Sequence, residues 1–144
     1  SILNKSSKSL IIDDYAHHPS EIKTTLESLK KITRNKVVAI FEPHRYTRIN
    51  RLLKEFIESF SKADIVFILP IYSAGEKNIK KITNLHLEKI FKKKFKNNKI
   101  IKAVEKEQNL FKDLKDLYKD ENNIIFLGAG LSTNIAQKFS IYIE

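Results

Sequence analysis

A chain of 144 residues, 42% of them hydrophobic, is enough for one domain that buries a core without disulfides or metals. It has no cysteine, which removes disulfide and thiolate chemistry and fits a reducing cytoplasm, no apolar run near the ~20 residues that cross a bilayer, and no signal-peptide pattern in SILNKSSKS. The 27 Lys and Arg against 17 Asp and Glu give +10, but most of the lysine lies in runs such as KKITRNK and FKKKFKNNK at expected helix ends and loops, with no aromatic-studded basic strand to stack bases. A solvated surface is the reading this supports, and an anionic small substrate suits the same field; nucleic acid and membrane are not expected partners.

In chain order, Ile2 and Leu3 are expected to form an antiparallel edge strand, turned back through the polar NKSSKS. Five short apolar runs follow: LII at 10–12, VVAIF at 37–41, IVFIL at 65–69, IIKAV at 100–104 and IIFL at 124–127. Continuous rather than alternating hydrophobicity is what a parallel sheet covered on both faces requires. Between the runs, Ile22, Leu26, Leu29 and Ile32 recur at helical spacing. So do Leu52, Leu53, Phe56, Ile57 and Phe60, then Leu110, Phe111, Leu114 and Leu117, and finally Leu131, Ile135 and Phe139, with a weaker helix from Ile82 to Phe95. Strand alternating with helix in this way predicts an α/β fold: a doubly wound, mostly parallel sheet with helices on both faces, in a single domain over 1–144.

The punctuation of the chain locates a site. All three prolines and all three glycines, Pro19, Pro43, Pro70, Gly75, Gly128 and Gly130, fall beyond an expected strand, as do His17, His18, His44, Tyr15, Tyr46 and Tyr72. Ligands of open parallel sheets bind outside the carboxyl ends of the strands, and the loops DDYAHHPSE, EPHRYTR, PIYSAGE and GAGLST should converge there. Pro19 suits a first helical position with Glu21 in the first turn. Asp13 and Asp14 beside His17 and His18 could fix a histidine tautomer, take a proton or bind an ammonium group. A metal is the rival, but adjacent histidines on one turn seldom reach one ion and no further cluster completes a site, so no metal is expected. Arg45 and Arg48, three apart near the start of a helix, suit a carboxylate or phosphate clamp, against the plainer alternative of ion pairs with Glu42 or Glu55. Gly128 and Gly130 should allow a tight strand-to-helix turn with exposed amides, although Thr133 breaks a dinucleotide-binding pattern. PIYSAGE could offer Tyr72 or Glu76 to a ligand. His86 reads as a surface residue.

DDYAHHPSEI, then FEPHRYTR about two dozen residues later, then YSAGE and a late GAG before the last helix closely resemble the C-terminal domain of the Mur ligases, from about residue 8 to the end. DDYAHHP alone would admit a member that attaches a recycled tripeptide; HRYTR points to the alanine-adding branch. The resemblance implies a Rossmann-like third domain of a bacterial cytoplasmic enzyme of peptidoglycan synthesis. It closes over a site where ATP converts the carboxylate of UDP-N-acetylmuramate to an acyl phosphate and L-alanine attacks. It also implies catalytic positions at Asp14 and His17, with Tyr15 at the amino-acid end. His44, Arg45 and Arg48 fall around the alanine carboxylate and the closing phosphate region, Tyr72 beside the substrate, and Gly128 and Gly130 near the phosphates. ATP and Mg2+ would be held mainly by the enzyme's own N-terminal and central domains. No G-x-x-x-x-G-K-[ST] occurs in this sequence, so the chain is expected to be inactive alone. One departure is the LSTN after GAG, where relatives often carry a further small residue. A stand-alone module binding a nucleotide or other anion at the same edge remains the alternative.

Overall fold

A computed structural model describes residues 1–6 and 9–144. Its frame is a six-stranded sheet in the order β1-β2-β6-β3-β4-β5, with β1 (Ile2–Lys5), β2 (Leu10–Asp14), β3 (Val37–Phe41), β4 (Ile65–Ile68), β5 (Ile100–Ala103) and β6 (Asn123–Leu127). Only β1 is antiparallel, pairing Ile2 with Ile12 and Lys5 with Leu10; the other neighbours run parallel. The edge strand expected from Ile2 and Leu3 is therefore present, and the centre of its connection, Ser7 and Lys8, lies outside the described residues.

The helices are α1 (Pro19–Ile32), α2 (Tyr46–Arg51), α3 (Leu53–Ser59), α4 (Asn84–Phe95), α5 (Glu107–Lys119) and α6 (Ser132–Tyr142). From β2 to β5 the chain moves stepwise across the sheet, and α1, α3 and α4 pack with Phe41, Val66 and Leu127 in one core. Helix α5 then returns along the opposite face and delivers β6 between β2 and β3, where α5 and α6 close a second core around Ile40, Phe126 and Phe139. Connections of one hand produce this segregation of helices. Every residue of β3, β4 and β6 is buried, which explains their unbroken hydrophobicity, while the edge strand β5 alternates exposed and buried positions.

The helix expected over Leu52–Phe60 differs in detail. Helical spacing continues backwards through Ile49, but the chain makes two helices, with Leu52 at φ −109° and ψ 22° between them. The reason is that the two pieces are anchored separately: α2 by the loop beneath it, α3 by Phe56 and Phe60 against Phe41 at 5.6 and 4.9 Å between ring centres.

Candidate functional site

The carboxyl ends of β2, β3, β4 and β6 do bring the four loops together. Asp14 ends β2 and its Oδ1 accepts the amide of Ala16 at 2.8 Å, an Asx turn that reverses the chain at once. Ala16 is thereby buried and Tyr15 left 72% exposed. His17 follows with Nδ1 2.9 Å from the Tyr15 carbonyl and 3.9 Å from Glu21. A carbonyl only accepts, so Nδ1 carries the hydrogen of this bond and Nε2 is the ring nitrogen left to face a ligand. His18 has a different task. It precedes Pro19 at the start of α1, and its amide donates to Glu21 at 3.2 Å. Asp13 points to the other side of the sheet, buried, accepting the Thr133 hydroxyl at 3.4 Å; strand alternation separates it from the histidines that the sequence places beside it.

The second and third loops are joined by backbone. Arg45 donates its amide to the Tyr72 carbonyl and Tyr72 its own to Pro43, both at 2.8 Å, forming a single parallel bridge of His44 with Tyr72. The His44 ring lies against Tyr72 at 5.2 Å, tilted by 30°, and meets His17 at 5.7 Å, so one row of rings spans three loops. Burial, then the positive fields of Arg48, His17 and Arg45, push the His44 pKa down against a smaller opposing pull from Glu76. His44 is consequently neutral at physiological pH. Its Nδ1 and the Nη1 of Arg48 are buried with no partner among the described residues, and buried polar atoms normally have one. Among the described residues neither Arg45 nor Arg48 forms an ion pair with Glu42 or Glu55. Arg45 stands just outside α2 at φ 67° with its side chain exposed, so the two guanidiniums approach His44 from different directions rather than from one helix face. Glu76 is spoken for: it accepts the Thr47 amide at 3.1 Å and hydroxyl at 2.6 Å, bonds that hold its pKa below the usual range.

The fourth loop corrects an expectation. The amides of the GAGLST turn are not open: Gly130 and Leu131 each donate to the Glu42 carboxylate at 2.9 Å. The glycines serve close approach, since a Cβ at 128 would lie 2.6 Å from Ser132 Oγ and one at 130 would lie 2.8 Å from Glu42 Oε1 and 2.9 Å from Tyr72 Cγ. Glu42 is thus the site residue that pattern reading missed. A charged residue directly after a fully apolar strand was the available signal.

Along α1, a shallow hollow of about 450 Å³ is lined by Asp14, Tyr15, Ser20, Glu21 and Thr24. A second, of about 410 Å³, lies by β5 and α5. There Lys102 pairs with Asp113 at 3.0 Å and Glu88 accepts the Ala103 amide at 2.8 Å, so these three side chains are already matched. His86 belongs to the start of α4, where the Thr83 hydroxyl accepts its amide at 3.3 Å. No group of three His, Asp or Glu side chains among the described residues converges as metal ligands.

The profile of the family described as Mur ligase, glutamate ligase domain matches residues 2–130. The chain belongs to this family. Its Mur ligase character extends to individual relatives. A UDP-N-acetylmuramate–L-alanine ligase of Fusobacterium nucleatum is 40% identical over 144 residues, covering 98% of this chain and 29% of the relative. One of Prochlorococcus marinus is 42% identical over 131 residues, covering 84% and 26%. The chain therefore spans less than a third of these relatives. Among solved structures, a UDP-N-acetylmuramate–alanine ligase of Thermotoga maritima superposes with a TM-score of 0.70 at 26% identity, over 99% of this chain and 29% of that one. A murein peptide ligase of Psychrobacter arcticus reaches 0.77 at 20% identity, over 99% and 29%, a likeness of fold.

Proposed function

We propose that this chain is the amino-acid-binding domain of an ATP-dependent ligase that joins L-alanine to UDP-N-acetylmuramate in bacterial peptidoglycan synthesis. The observation that carries the reading is the meeting of His17, His44 and Arg48 at the carboxyl edge, with His44 Nδ1 and Arg48 Nη1 buried and lacking protein partners. The alanine-ligase relatives at about 40% identity support it. In this reading UDP-N-acetylmuramate reaches the site as an acyl phosphate formed with ATP on the other domains of the longer enzyme. Among the described residues no three His, Asp or Glu side chains converge, and this reading assigns the metal and the nucleotide to those domains.

The chain's own residues then handle the amino acid. Arg48, with the exposed Arg45, binds the alanine carboxylate, a task suited to a planar guanidinium fork. Neutral His44 presents a ring nitrogen without adding charge. Asp14 and Tyr15 border the ammonium end, and His17 Nε2 takes the proton that the ammonium group must lose before its nitrogen attacks. The new amide C–N bond forms as the C–O bond to phosphate breaks, releasing inorganic phosphate. Closure of the other domains over the half-buried ring row would keep water from competing for the acyl phosphate.

The test uses the longer enzyme that carries these residues. Sustained ADP turnover should require both UDP-N-acetylmuramate and L-alanine, with no more than one ADP per enzyme when alanine is left out. Continued turnover that ignores either substrate overturns the reading.

A further inference from the structure

Glu42 is 3% exposed, and among the described residues no Lys, Arg or His pairs with it. A carboxylate removed from water without a counter-ion is costly unless its oxygens are satisfied. Burial does push its pKa up, and the amides of Leu131, Gly130 and Ser132 pull it back. These are the free amides at the start of α6, the groups that bind anions at helix N-termini in many α/β proteins. Here the anion is internal. The Glu42 backbone is tied to the same turn, its amide donating to the Leu127 carbonyl at 2.9 Å.

What the tie supports is the ring row. Gly130 lies so close to Tyr72 that a Cβ would sit 2.9 Å from the ring. Tyr72 carries His44 by a tilted ring contact at 5.2 Å and by the backbone bonds on either side of the bridge. Only Pro43 separates Glu42 from His44 in the chain. Glu42 therefore grips the supporting turn from one end of the loop whose other end bears the substrate-facing histidine.

We propose that Glu42 is a positioning residue: its carboxylate fills the amide turn at the start of α6, holds Gly130 against Tyr72 and thereby sets the His44 ring, so that this turn takes no nucleotide phosphate. The role given to His44 rests on the proposed function; the filled turn does not.

The experiment uses the full-length protein that carries these residues, as wild type, as Glu42→Gln, which keeps shape but replaces an acceptor by a donor, and as Glu42→Ala. In Glu42→Gln, deuterium exchange over 128–133 should accelerate by about tenfold or more, as expected for the loss of a charge-assisted hydrogen bond. The His44 ring resonances should shift, and KM for alanine should rise by about tenfold while KM for the UDP-sugar stays put. Millimolar formate should slow exchange again in Glu42→Ala, and inorganic phosphate should leave the wild-type turn unaffected. Protection of 128–133 by phosphate in the wild type overturns the proposal, as does a Glu42→Gln protein whose exchange and His44 signals match the wild type. If the full-length protein forms no ADP with alanine and the UDP-sugar, the proposed function fails, while exchange and ring signals still decide the place of Glu42.

Discussion

His17 and His18 are neighbours with separate tasks. The side chain of His17 reaches the ring row, whereas His18 serves the start of α1, its amide on Glu21 and its ring Nδ1 3.3 Å from the Ser20 hydroxyl. His17→Ala should therefore depress turnover of the full-length ligase far more than His18→Ala, and the reverse order in steady-state kinetics would remove His17 from the chemistry. Arg48→Ala should raise KM for alanine by about 10- to 100-fold, the range for a lost hydrogen-bonded charge, and Arg48→Lys should recover little because an ammonium cannot reproduce the planar fork. His44 also has a pH signature. Its folded pKa lies below the ordinary 6.5, so between the two values the unfolded chain binds more protons than the folded one. Stability is then complete above 6.5 and falls as pH drops toward the folded value. His44→Gln should flatten that acid-side decline in unfolding free energy measured between pH 7 and 5, and an unchanged slope would contradict the shift.

At the scale of elements, Asp64 joins three of them. Just before β4, its Oδ2 accepts the Val37 amide of β3 at 2.8 Å and Lys30 of α1 at 2.9 Å. Burial raises its pKa, but the Val37 and Lys30 bonds outweigh burial and the net shift is downward. The stabilisation is therefore present above the ordinary carboxylate value and disappears as pH falls through the lower folded one. Asp64→Ala should cost about 1–3 kcal/mol at neutral pH, with the gap from wild type narrowing in urea denaturation as pH is taken below the ordinary carboxylate value. Strands such as VVAIF and IIFL were readable because burial on both faces forces an unbroken apolar run. The turn at Asp14 and Pro19 was readable for a different reason, since Asx turns and N-terminal prolines are local. Neither the break at Leu52 nor the grip of Glu42 is local. Leu52 and Leu53 continue a helical pattern that only the separate anchoring of α2 and α3 interrupts. The Glu42 partners lie 88 and 89 residues away and become neighbours only because β6 inserts beside β3.

Over the whole molecule, part of the +10 charge stands away from the site. Lys92, Lys93 and Lys94 lie exposed in the last turn of α4, and Lys99, bonded to the carbonyls of Ser61 and Ala63 at 2.7 and 2.5 Å, sits just before β5, all at the edge opposite the four loops. At the loop edge the cations acting on His44 include the two arginines, and the amide turn at the start of α6 is filled by Glu42. Polyanions should thus feel a diffuse field rather than a built pocket, and such a field is screened over about 8 Å at physiological ionic strength. For the 144-residue chain this separates the ligase-domain reading from a stand-alone nucleotide binder. Calorimetric titration with ATP at about 0.15 M salt should give no saturable heat in the micromolar range, and any weak binding at low salt should fade as salt is added. Micromolar affinity that persists in salt would require a phosphate site this edge does not offer, and would favour the stand-alone module over the ligase domain.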